Sequence, residues 1–120
     1  MKRVVHFEIN ADQPERAARF YSGAFGWKVE KDEGHDYWLV RTGSGGPGID
    51  GGLVRRIAPA ASTVDIVEIP ALESTRVKIQ QLGGDCFMPT MSVDGVGLTT
   101  YCRDTEGNIF GLLQPLTRPA

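Results

Sequence analysis

Three kinds of segment are missing from this 120-residue chain. No apolar run approaches the roughly 18 residues that a membrane-crossing helix needs, so no membrane partner is expected. No block of Lys and Arg gathers anywhere. The adjacent basic pairs are Lys2-Arg3 and Arg55-Arg56, and the net charge is −2. Nucleic acid, which takes grouped cations against its phosphates, is therefore not an expected partner either. No C-x-x-C pattern occurs: Cys86 and Cys102 stand far apart. They read as free thiols buried in strands, with a redox pair or a metal site as the lesser reading. Met1-Lys2-Arg3-Val4-Val5 runs directly into strand-like sequence with no cleavable apolar region. That gives a cytoplasmic expectation.

What is present reads as one globular domain. The chain is 41% hydrophobic and 23% charged, and it is long enough to close a core without cross-links. Val4 to Ile9 alternates Val5, Phe7 and Ile9 with His6, Glu8 and Asn10, the period of a half-buried strand. Asp12 and Glu15 have capping-box spacing with Pro14 in the first turn, so a helix is expected from Asp12. Its apolar stripe is Ala17, Phe20, Tyr21 and Ala24, and Gly26 stops it. Strands are expected at Trp27 to Glu30, Tyr37 to Arg41 and Ile49 to Arg55. The second half repeats the order: a strand at Thr63 to Ile69, a helix at Ala71 to Leu82 with Leu72, Ile79 and Leu82 inward, then strands at Cys86 to Met88, Val96 to Cys102 and Ile109 to Gln114.

The halves overlay by spacing. Gly26 follows His6 as Gly84 follows Val64, and Gly52-Leu53-Val54 falls where Gly111-Leu112-Leu113 falls. The expected class is therefore α+β, a single domain over 1–120 of two β-α-β-β-β modules, about 1–57 and 62–116. Gly43-Ser44-Gly45-Gly46-Pro47-Gly48 fits G-x-G-x-x-G in form. A dinucleotide site needs that run to open a helix, and Pro47 and Gly48 oppose one, so it reads as a hairpin loop.

The string HFEINADQPERAARFYSGAFGW resembles the opening strand and helix of the vicinal-oxygen-chelate superfamily, which includes glyoxalases, bleomycin-resistance proteins and extradiol dioxygenases. RDTEGNIFGLLQ resembles its D-P-x-G-N turn and closing strand, with Thr105 in place of the proline, and LGGDCFMP resembles the end of its second helix. The resemblance implies paired modules whose curled mixed sheets form a cup with the helices outside, and often a homodimer.

Alternation sends Val5, Phe7 and Ile9 toward the first helix and His6 and Glu8 into the cup. Val64, Ile66 and Glu68 take the equivalent face, with Thr99 and Tyr101 on the neighbouring strand, and Tyr37 or Trp38 lining the wall. The candidate ligand-binding residues are His6, Glu8, Trp38, Gly52, Val64, Glu68, Thr99, Tyr101 and Gly111. Metal-dependent members of the family hold a divalent cation with one side chain from each of four strands. Carried over, these positions fall at His6, Gly52, Val64 and Gly111, three of which have no donor. No cofactor is therefore expected, a divalent metal being the lesser reading. His6 is either a strand histidine bonded to Glu8 or Tyr101, or a ligand-contacting or acid–base residue. His35 reads as an exposed turn residue.

Three functions follow. The first is a small-molecule-binding protein of the bleomycin-resistance type, the missing ligands having widened its pocket. The second is a metal-dependent lyase or dioxygenase. The third is a metal-free isomerase or epimerase using His6 and Glu8 as catalytic candidates.

Overall fold

The alternation at the N-terminus becomes β1 (Val4–Ala11), whose Phe7 and Ile9 join Trp38, Val40 and Leu53 in an apolar cluster. The structure is a computed structural model and describes residues 2–116. After β1 come α1 (Pro14–Phe25), β2 (Lys28–Lys31), β3 (Tyr37–Arg41) and β4 (Gly51–Arg55). These strands lie in the order β2-β3-β4-β1, antiparallel except for the parallel β1–β4 pair. Then β5 (Thr63–Glu68), α2 (Leu72–Gln81), β6 (Met91–Val93), β7 (Gly97–Arg103) and β8 (Ile109–Pro115) repeat the plan. Their order is β6-β7-β8-β5, with β5 and β8 parallel. The fold is α+β, built from two β-α-β-β-β units.

The chain divides into two compact units, one of residues 6–64 and one from residue 65 onward that also takes residues 2–5. The division falls inside β5 and not at the 58–61 link. Backbone bonds show why. In the first unit the Asn10 N–H donates to Ser62 O at 2.8 Å, while in the second the Glu68 N–H donates to Arg3 O at 2.9 Å.

Each unit has its own core. In the first, Leu53 is fully buried, with Ala17 and Tyr21 of α1, Trp27 and Val29 packed around the cluster; the Tyr21 and Trp27 rings stack at 5.5 Å. In the second, Leu72 of α2 is fully buried among Ile69, Cys86, Cys102 and Leu112. Burying one such leucine contributes about 1.5–3 kcal/mol.

Four local expectations are corrected. The capping box does not form: Gln13 is the N-cap of α1 and makes no side-chain cap bond. Asp12 instead accepts from Arg56 Nε at 2.8 Å, and that guanidinium holds its carboxyl below the usual range. With Pro14 at the helix start, the inward residues are Ala17 and Tyr21, flanked by half-buried Ala18 and Ser22. Phe20 and Ala24 are exposed, because 14, 17, 18 and 21 set the buried stripe. Gly26 ends α1 as expected, at φ 72° with its N–H on Ser22 O. Leu82, expected inward, is exposed at the C-cap of α2. Cys86 to Met88 is not a strand: one antiparallel bridge, Asp85 with Arg103, precedes an irregular stretch. There the Met88 carbonyl is satisfied by side chains, the Thr100 hydroxyl and Arg76 Nη1, both at 2.9 Å, so no ladder is needed. Among the described residues no helix is long and apolar enough to cross a membrane.

Candidate functional site

In the first unit, register and alternation put His6, Glu8, Tyr37 and Gly52 on the sheet face away from α1. Glu8 pairs with Gly52 across the parallel ladder, and Leu39 and Tyr37 pair with Gly52 and Val54 across the antiparallel one. His6 Nε2 and the Tyr37 hydroxyl lie 2.8 Å apart. In the Nδ1–H tautomer of the neutral imidazole, the phenol donates to Nε2. A Cβ at residue 52 would overlap the Tyr37 hydroxyl and ring edge. The missing side chain at Gly52 is thus what lets Tyr37 reach His6. Of the two aromatic wall candidates, Tyr37 shares this face. Trp38 is 5% exposed, pairs with Leu53 in the cluster beneath α1, and has the Lys31 ammonium 5.7 Å from its ring. The open choice between the two is thus resolved by register: Trp38, one residue out of phase, takes the opposite face from Tyr37.

Burial lowers the pKa of His6 below its usual 6.5, and the Asp50 carboxylate partly opposes the shift. The Tyr37 phenol is pushed well above its usual 10, first by burial and then by the charges of Glu8 and Asp32. The pair is therefore a neutral imidazole beside a phenol that keeps its proton. Asp50 was not a sequence candidate. It accepts the Thr42 N–H at 2.9 Å at the end of the glycine-rich loop, where no periodicity marks it. Asn10 follows His6 and Glu8 on the same strand face, buried like Glu8. Its Oδ1 accepts the Ile57 N–H at 3.0 Å, while its buried Nδ2 has no hydrogen-bond partner. Such an orphan donor costs about 1–3 kcal/mol, and a water or ligand oxygen would satisfy it.

In the second unit, Ile66, Glu68, Thr99, Tyr101 and Gly111 share the face opposite the Leu72–Cys102–Leu112 core. Ile66 and Tyr101 both pair with Gly111, and Glu68 and Thr99 both pair with Leu113. β8 lies between β5 and β7, so Thr99 and Tyr101 are two strands from Glu68, not one. A Cβ at Gly111 would overlap Ile66 Cδ1, with the Tyr101 ring 3.5 Å away. Val64 continues the Ile66–Glu68 alternation at the junction of the units and is 1% exposed. The structure thus gathers His6, Glu8 and Gly52 in one set and Glu68, Thr99, Tyr101 and Gly111 in another.

The cation positions implied by the family can be tested against these sets. At Gly52 the space for a ligand side chain is filled by the Tyr37 hydroxyl, which is committed to His6. At Gly111 it is filled by a methyl of Ile66. Val64 offers no donor atom. The residues present do not fit a family-type cation, which needs at least three N or O ligands around it. Among the described residues, no three His, Cys, Asp or Glu side chains come together in a cation-holding group. His35 is exposed, with Nδ1 3.1 Å from Asp32, as a turn residue should be.

Comparison with known proteins adds the following. The family model of the glyoxalase-like domain matches residues 6–113. No curated protein matches the chain. Among solved structures, a hypothetical protein from Bacillus halodurans superposes with a TM-score of 0.66 at 9% identity, covering 99% of this chain and 98% of its own. Methylmalonyl-CoA epimerase from Mycobacterium tuberculosis gives 0.66 at 12%, covering 94% and 87%. The Streptomyces coelicolor methylmalonyl-CoA epimerase in complex with 2-nitronate-propionyl-CoA gives 0.65 at 11%, covering 100% and 99%. At such identities the likeness is one of fold, that of the vicinal-oxygen-chelate superfamily.

Proposed function

Because the chain belongs to the glyoxalase-like domain family, we propose that it is a small-molecule-binding protein of the glyoxalase and bleomycin-resistance type, acting without a family-type metal centre. The observation that supports this most is the His6–Tyr37 pair seated where Gly52 leaves space. A position that would carry a metal ligand in a cation-dependent relative here holds a neutral hydrogen-bonding pair. With Glu8 on the same face and Leu39 and Val54 beside it, the surface suits a small, partly apolar molecule carrying a hydrogen-bonding head. The reading also takes the protein as a cytoplasmic homodimer. The exposed Phe20 and Phe25 on α1 support pairing, and sedimentation as a monomer would remove that part.

One observation favours a second reading, metal-free isomerase or epimerase chemistry. Burial keeps the His6 imidazole neutral near physiological pH, the state a proton acceptor needs, with the Glu8 carboxylate on the same face. The epimerases among the structural neighbours are consistent with it as a matter of fold.

The test is a ligand and substrate screen on protein purified without chelators, run on the wild type and on His6→Ala. Saturable binding without turnover, weakened about tenfold or more in the variant, supports the binding reading. Turnover that vanishes in a folded His6→Ala moves the assignment to the isomerase. Turnover that appears only when Ni²⁺, Zn²⁺, Fe²⁺ or Mn²⁺ is added overturns both.

A further inference from the structure

We propose that Cys86 and Cys102 are a modification site: a dithiol that a hydroperoxide converts into a reversible disulfide within the chain, tying β7 to the segment that follows α2. Asp85 and Arg103 exchange both backbone bonds, N–H to O at 3.0 Å and 2.7 Å. The next antiparallel pair, Cys86 with Cys102, is therefore a non-hydrogen-bonded one. In such pairs the Cα atoms approach to about 4.5 Å and the side chains leave the same face. That spacing lies within the range a disulfide spans. The side chains realise it: both cysteines are free, and their Sγ atoms lie 2.6 Å apart, directly facing each other.

The same surroundings set the conditions for reaction. Cys102 is fully buried and Cys86 is 7% exposed. Burial, and secondarily the adjoining Cys86 sulfur, raises the Cys102 thiol well above its usual range, so Cys102 is not the group that meets the peroxide and acts only once Cys86 is oxidised beside it. Cys86 sits on the irregular stretch between the Asp85–Arg103 bridge and β6, which has no strand ladder and is held by side chains: Thr100 and Arg76 on the Met88 carbonyl, Arg103 over the Phe87 ring and Thr90 on Glu73. Local opening of that stretch presents Cys86 to solvent while Cys102 stays in β7. The Cys86 thiolate then attacks the peroxide oxygen. The O–O bond breaks, an alcohol (or water, from hydrogen peroxide) leaves, and Cys86 becomes a sulfenic acid. On reclosure the Cys102 sulfur attacks Cys86 Sγ, the S–S bond forms, and water departs with the Cys102 proton. Two thiols are oxidised and one peroxide is reduced.

Thr99 and Tyr101 lie on the opposite face of β7 from Cys102. The cross-link therefore restrains the strand that carries part of the candidate ligand surface, whatever the ligand is.

The experiment counts thiols on the full chain. The reduced protein is exposed to hydrogen peroxide, unfolded, treated with a maleimide and weighed intact. Two adducts are expected before exposure, none after it, and two again when dithiothreitol precedes unfolding. Peptide mapping should join the Cys86 and Cys102 peptides. Cys86→Ser should retain its single adduct at Cys102 under the same exposure. The wild-type count decides the matter even if that variant does not fold. Two adducts after peroxide, a sulfinic or sulfonic acid on either residue, or a disulfide between chains would each overturn the proposal.

Discussion

Gly52 and Gly111 hold equivalent places, each in the last strand of its unit and paired in parallel with the first, yet their missing side chains admit different neighbours. Over Gly52 the space is taken by a phenol from β3, diagonally placed and bonded to His6. Over Gly111 it is taken by a methyl of Ile66, from the directly opposed position on β5. One backbone plan thus produces a polar node in the first unit and an apolar one in the second. The chemistry of each face is decided by which neighbour leans across the glycine.

The comparison predicts that the two cores behave alike while the two glycine nodes do not. Leu53→Ala and Leu72→Ala remove fully buried side chains of equal size from the separate clusters. Each should cost about 2–5 kcal/mol in denaturant unfolding. A cost under about 1 kcal/mol for either would show that its cluster collapses onto the cavity and that the cores are not equivalent. The next largest effect separates the nodes. Gly52→Ala pushes on an aromatic ring held by a hydrogen bond and should cost about 2–3 kcal/mol. Gly111→Ala pushes on the far end of an isoleucine, which can rotate, and should cost about 1 kcal/mol or less. Equal costs would erase the distinction.

Tyr37→Phe tests the polar node more gently. It removes the phenol oxygen, leaves His6 Nε2 unpaired and should cost about 1 kcal/mol, with weaker ligand binding. The pH dependence of stability sharpens it. Burial lowers the pKa of folded His6 below 6.5, so below that value the unfolded chain binds the proton more readily. The contribution is present in full above the unfolded value and is lost as pH falls through it toward the folded one. The Tyr37 hydroxyl lies against the ring, and the Asp50 carboxylate partly opposes the shift. Thermal midpoints followed from neutral pH downward should fall more steeply for the wild type than for His6→Gln. Parallel curves would mean that the ring titrates as it does in the unfolded chain.

Much of this was legible in the sequence, and what was not has identifiable causes. The order of elements and the two-fold repeat followed from alternation and from glycine stops. His6 and Glu8 were found because a period of two sends them away from Phe7 and Ile9. Tyr37 against Trp38 was undecidable, since a one-residue phase shift exchanges the faces of a short strand and only the β3–β4 register fixes it. Asp50 lay in a loop without period. The strand expected at Cys86 was lost because Arg76 and Thr100 satisfy the backbone there, a long-range arrangement that no local pattern encodes. The capping box failed for a similar reason: Arg56, distant in sequence, took Asp12.

The smallest expected effect concerns the two helix starts, which lack side-chain caps for different reasons. At α1 the first helical residue is Pro14, which has no N–H to satisfy. At α2 the Leu72 N–H is satisfied from β8, by Gln114 Oε1 at 2.8 Å, while the N-cap is Ala71 in an extended conformation. The next N–H groups of α2 have no cap, and alanine is among the poorest residues at that position. Ala71→Ser places a hydroxyl within reach of them without touching the Gln114 bond or the backbone carbonyl that Thr75 uses. A gain of about 0.5–1 kcal/mol is expected, a rise of roughly 2–5 °C in Tm. An unchanged or lower midpoint would mean that the strand-borne Gln114 already fixes the start of α2 as firmly as a cap would. The two helices would then differ in what anchors them, the first through proline and the second through the sheet beneath it.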